Sequence, residues 1–298
     1  MENFEINIPR GSSVQKELLE PEQPRERIEY SLIVVEQYIN EINFEKLKEV
    51  FVHKLKKYRS EKNLENFVPR ERIAATAKKT GNGGTHNNYS KNIEINSRFI
   101  EEIGRAEIEE RLTEFELLIL ATVTHEETHA VSYTRHEIQE DDKNFSFDQF
   151  SGIEIVKARA EKEEINDAIL AKVKSETFMT FLNEAITEEF SKEVVAEYLS
   201  NEDRYSEEEK NRVLDQKAYR VNISFFNLLC LIIGDYTEND PETIKQAFYA
   251  SYFQGENFLS ADMKETFDAQ IGPGFSKVLF MEEKEAKEYM RRVLDHLG

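Results

Sequence analysis

The chain has 298 residues, 39% of them hydrophobic and 33% charged, and carries a formal net charge of −20. That length and apolar fraction suffice for one large domain or two small ones. The acidic balance argues against nucleic acid or an anionic membrane as partner, since both call for clustered Lys and Arg, and it predicts a soluble, well-solvated surface.

The single cysteine, Cys230 in FFNLLCLIIG, excludes an internal disulfide or a cysteine cage, so any metal must rest on His and carboxylates. No basic start followed by an apolar core opens the chain, and no apolar run is long enough to span a bilayer. A cytoplasmic protein is the expectation.

Residues 1–28, with Pro9, Pro21 and Pro24, read as an N-terminal arm. From Tyr30 to Tyr58 the apolar positions Val34, Val35, Tyr38, Ile42, Leu47, Val50, Phe51 and Leu55 recur at helical spacing, as one long amphipathic helix or two short ones. Ile73, Ala75 and Ala77 alternate, as do Ile93 and Ile95, across a Gly/Asn-rich stretch, which predicts two short strands in a hairpin. The GNGG within that stretch lacks the frame of a phosphate-binding loop and reads as a flexible turn.

Residues 111–136 predict a helix, apolar in its first half, followed by a polar loop over 137–151 and a short strand at Ile153–Val156. A second helix is predicted over 176–199. The acidic SNEDRYSEEEK after it reads as a linker or helix start, and helical patterns then cover 213–233, 242–254, 260–269 and 283–297. The fold class is therefore α+β and predominantly helical, with a small hairpin or sheet and a helical C-terminal half.

The chemistry concentrates in HEETH, residues 125–129. Residues four apart on a helix share a face, so His125 and His129 can point imidazole nitrogens at one Zn2+. Glu126 lies a quarter-turn or so round the helix, where its carboxylate can reach a zinc-bound water without ligating the metal and act as general base.

A catalytic zinc needs a third protein ligand. The pattern H-E-x-x-H-x-x-G-x-x-H is not met, because Ser132 stands where it needs Gly and Arg135 where it needs His, with His136 one place late. A better candidate lies in FLNEAITEEF, where Glu184 and Glu188 are again four apart on a predicted helix. One carboxylate there can bind zinc while the other accepts the free N–H of a ligand His and fixes its tautomer.

HEETH together with NEAITE resembles the gluzincin group of zinc metallopeptidases, in which a Glu on a downstream helix completes HExxH. The resemblance covers residues 87–190 at the level of motifs. It implies a zincin-like region over 29–200, with a helical region over 201–298 packing on the site. It further implies one zinc per chain held by His125, His129 and Glu184, Glu126 as base, and Glu188 supporting a ligand. A polypeptide or peptide substrate is expected to pair with a strand ahead of the HExxH helix, for which Tyr89, Ile93 and Ile95 in NNYSKNIEIN are the candidates.

Tyr133, Tyr219, Arg220, Tyr249 and Tyr252 are open candidates for stabilising an oxyanion. The alternative to a metallopeptidase is a zinc-containing regulatory or binding protein with a closed, non-catalytic site, for which His86 or His136 would supply the fourth ligand.

Overall fold

The computed structural model describes residues 24–77, 83–87, 90–97, 111–140, 144–161, 175–215 and 219–255. The segment read as two short helices or one long one resolves into two, α1 (Pro24–Glu41) and α2 (Phe44–Lys57). Asn43 separates them. Its side chain accepts the backbone N–H of Lys46 and caps α2. α1 begins inside the stretch expected to be an arm, and residues 1–23 lie outside the described ones.

Three strands follow: β1 (Ile73–Thr76), β2 (Gly84–Asn87) and β3 (Asn92–Asn96). The expected hairpin between the first and last of these is a correction. β1 and β3 run parallel, with Ile73 opposite Ile93, while β2 pairs antiparallel with β3, giving the order β1-β3-β2. Part of the Gly/Asn-rich stretch read as a turn is thus itself a strand. Too little alternation exists in GTHN to announce it.

α3 (Leu112–Ala130) carries HEETH in its last turns. Phe115, Leu117, Ile119, Leu120 and Val123 are all buried, so this helix is covered on nearly every side and sits at the centre of the fold. It stops six residues short of the expected end at 136. The following Val131-Ser132-Tyr133-Thr134 is rich in β-branched and aromatic residues, and the chain turns into β4 (Thr134–Glu140).

The expected loop at 137–151 is also corrected: β4 pairs with β5 (Asn144–Ser151), and β6 (Glu154–Glu161) and β7 (Ser175–Phe178) complete a four-stranded sheet in the order β4-β5-β6-β7. The short strand expected at Ile153–Val156 is the start of β6.

α4 (Thr180–Leu199) then carries the NEAITE glutamates, with Leu182, Ala185, Ile186 and Phe190 fully buried. The acidic segment proves to be a helix start. Ser206 and Glu209 form a reciprocal capping box at the head of α5 (Glu207–Leu214). The helix expected over 213–233 is divided between α5 and α6 (Arg220–Thr237), and α7 (Pro241–Gln254) follows. The helices expected at 260–269 and 283–297 lie outside the described residues.

α3 and α4 pack side by side; β2 and β3 lie on α3, while α2, α6 and α7 pack on α4. An aromatic cluster of Tyr58, Phe190, Tyr249 and Phe253 joins α2, α4 and α7, with Phe190 and Phe253 4.6 Å apart. The architecture is α+β and mostly helical. No helix among the described residues is long and apolar enough to cross a membrane.

Candidate metal centre

The packing of α3 against α4 brings the two motifs face to face. Nε2 of His125 lies 3.4 Å from one carboxylate oxygen of Glu184, and Nε2 of His129 lies 3.3 Å from the other. The donor atoms of the three residues all fall within 4.8 Å of one another. No other group of three His, Cys, Asp or Glu is so placed among the described residues.

Each imidazole is also held from behind. Nδ1 of His125 lies 3.0 Å from Oε2 of Glu188, whose other oxygen faces the Lys192 ammonium at 3.6 Å. Nδ1 of His129 faces the hydroxyl of Thr187 at 3.4 Å. That hydroxyl donates its hydrogen to the carbonyl of Asn183 at 2.9 Å and lies 2.8 Å from the phenol of Tyr252. With its one hydrogen committed, Thr187 Oγ1 can only accept from Tyr252 and from His129. Nδ1 of each ring thus has a hydrogen-bond acceptor behind it, Glu188 for His125 and Thr187 for His129, an arrangement that would leave Nε2 of each to a bound metal.

The electrostatics favour a cation at this spot. Burial works against a charged imidazole at His125, yet its bonds to Glu184 and Glu188 outweigh burial and push its pKa up to about 10. For Glu184 burial likewise opposes ionisation, but the two imidazoles hold its carboxyl well below the usual range. Three carboxylates converge here on two imidazoles, in a chain whose sole cysteine is buried elsewhere. Two neutral nitrogens and a carboxylate form a donor set suited to a divalent metal such as zinc.

Glu126 lies on the side of α3 that faces β2. It is buried, and the backbone N–H of His86 donates to its carboxylate. Burial raises its pKa, opposed by His125 and His129. A cavity of about 170 Å3 opens beside His125 and Glu126, walled by Leu118, Ala121, Val195 and Val213, with Lys192 on its polar side.

Glu127, the neighbouring acid within HEETH, has a different task. It is fully buried and accepts the backbone N–H of Val68 at 3.0 Å, tying the segment before β1 to α3. Burial holds its carboxyl well above the ordinary range. Among so many glutamates, nothing in the sequence marks it out.

The expected substrate strand is not where it was sought. β3 lies in the middle of its sheet with both edges paired, and Ile93 and Ile95 are fully buried core residues. They have no free edge to offer an extended peptide. Tyr89 lies outside the described residues. β2, not β3, is the strand beside Glu126.

The oxyanion candidates separate clearly. Tyr219, held at a positive φ of 55° ahead of α6, stacks on the His125 ring at 5.2 Å and lines the cavity. Tyr252 is committed to Thr187, Tyr249 donates to Glu193 at 3.1 Å, and Tyr133 packs over Gly255. Arg220 is exposed.

Of the two His considered for closing the metal sphere, His136 is on β4, stacked against Phe147. His86 lies near enough to His129 for their charges to interact, and burial first, then His129 and Lys91, lower its pKa to about 3. It does not join the donor group.

The supports that sequence reasoning missed are Thr187 and Tyr252 for His129, and the β2 backbone for Glu126. Thr187 stood inside NEAITE, where its hydroxyl was the available signal. Comparison with known proteins gives no match: no family model, no curated protein and no solved structure corresponds to this chain.

Proposed function

We propose that this chain is a zinc-dependent metallopeptidase in which His125, His129 and Glu184 hold the metal and Glu126 is the general base. The observation that carries the reading is the convergence of both Nε2 atoms on the two oxygens of Glu184, at 3.4 and 3.3 Å. Support also comes from Glu126, which a purely structural site would not need, beside a cavity with room for a substrate side chain. Polypeptide as the substrate class rests on the resemblance of HEETH and NEAITE to gluzincins.

Zinc, when bound, supplies a Lewis acid for the scissile carbonyl and lowers the pKa of water at the site. The chain's own residues do the remainder. Glu188 and Thr187 hold the imidazoles in the ligating tautomer, and the carboxylate of Glu126 takes the proton of the attacking water and returns it to the departing amine. The net charge of −20 disfavours nucleic acid or an anionic membrane as a further partner.

Glu126→Gln is expected to retain one zinc per chain and to lose cleavage of denatured casein by about a thousandfold, as removal of a general base does. Metal content by atomic absorption and cleavage by gel and mass spectrometry check this. If wild type binds zinc and cleaves nothing across a broad peptide library, the chain is instead a binding or regulatory protein with a non-catalytic metal site.

A further inference from the structure

β2 approaches α3 at a position that has no side chain. A Cβ on Gly84 would lie 2.9 Å from both Cγ and Oε1 of Glu126, and 3.0 Å from Cγ2 of Thr122. Real Cβ atoms do not come that close to a neighbour. Two residues along the same strand, the backbone N–H of His86 donates to the Glu126 carboxylate. The strand backbone therefore touches Glu126 twice, once by contact along its stem and once by a hydrogen bond at its head.

We propose that Gly84 and the His86 N–H form a backbone clamp that fixes the orientation of the Glu126 carboxylate, making Gly84 a positioning residue for the reaction. The proposal rests on the hydrolase reading above. The contact along the Glu126 stem leaves no room for the side chain to swing toward β2, and the N–H selects one orientation of the carboxylate. A methyl group at position 84 must displace something. The backbone at Gly84 is paired opposite Ile95 of β3, whereas the Glu126 side chain, met at Cγ and Oε1, can rotate about its own bonds, so the carboxylate is the group that shifts.

The neighbouring glycine provides an internal control. A Cβ on Gly83 would meet only Thr122, at 3.6 and 3.8 Å, which is ordinary van der Waals contact. Gly83→Ala therefore changes the backbone chemistry of the same strand entry without touching Glu126.

The test uses the full chain loaded with zinc, and casein as substrate. Gly84→Ala is expected to keep its zinc and its KM while kcat falls about a hundredfold, the scale of a displacement of about 1 Å at a reacting group. Gly83→Ala, which also borders the cavity, is expected to keep its zinc and to change the melting temperature equally with and without the Glu126 side chain. In a Glu126→Gln background, adding Gly84→Ala should lower residual cleavage no further, because the group it displaces no longer acts.

A readout independent of activity is the melting temperature: the drop caused by Gly84→Ala should shrink by about half or more in a Glu126→Ala background, where the crowded side chain is gone. Wild-type kcat in Gly84→Ala, or an equal drop in melting temperature in both backgrounds, overturns the proposal. If the thermal coupling is present but wild type cleaves nothing, the hydrolase reading fails and the clamp loses its catalytic meaning, while the contact itself stands.

Discussion

Thr187 shows how a single hydroxyl can decide the chemistry of a ligand. Its oxygen has one hydrogen to give and two lone pairs, and the Asn183 carbonyl, Tyr252 and His129 use all three. Thr187→Val removes the acceptor while keeping the shape, leaving His129 without its Thr187 partner at Nδ1 and Tyr252 with Ser132 as its remaining side-chain partner. Zinc affinity is expected to fall by about 10–100-fold, the usual consequence of losing a support behind a metal ligand. Thr187→Ser should restore it, and competition titration against a chromophoric chelator measures both. Equal affinity in Thr187→Val and wild type would mean that the 3.4 Å approach to His129 has no bearing on the ligand.

At the scale of elements, the site depends on how the four-stranded sheet docks onto α4. Gly152, between β5 and β6, adopts a φ of +60°, and its N–H donates to the Tyr133 carbonyl at 2.7 Å. A Cβ there would strike the Asn183 side chain and the Tyr252 ring. Gly152→Ala combines left-handed strain with overpacking. A loss of about 2–4 kcal/mol in stability is expected, measured by urea denaturation. A change within about 0.5 kcal/mol, the scatter of neutral surface substitutions, would show that this turn does not anchor the sheet.

The same elements show what a sequence can and cannot say. HEETH and NEAITE were legible because helical spacing places residues four apart on one face whatever lies around them. The end of α3 and the strands β4 and β5 were not, because short apolar runs and alternations such as NFSFDQF take their meaning from pairing partners elsewhere in the chain. The parallel pairing of β1 with β3 was hidden for the same reason, and it moved Ile93 and Ile95 from an expected peptide-binding edge into the core. Thr187 could be seen, but its partner Tyr252 lies 65 residues away, so its role could not.

Over the whole molecule, the centre is assembled from two helices that the sequence separates, and it is braced by elements that precede and follow them in the chain. β2 reaches Glu126, α6 begins with Tyr219 against His125, and α7 contributes Tyr252 to the support of His129. The central claim is that His125, His129 and Glu184 together hold one divalent metal. Equilibrium titration of the chelator-stripped full chain with zinc tests it most directly. The expected result is one zinc per chain, with affinity reduced more than about a hundredfold by Glu184→Ala and only about tenfold by Glu188→Ala, since a lost ligand costs more than a lost support. No zinc bound by wild type, or equal losses in the two variants, would contradict it.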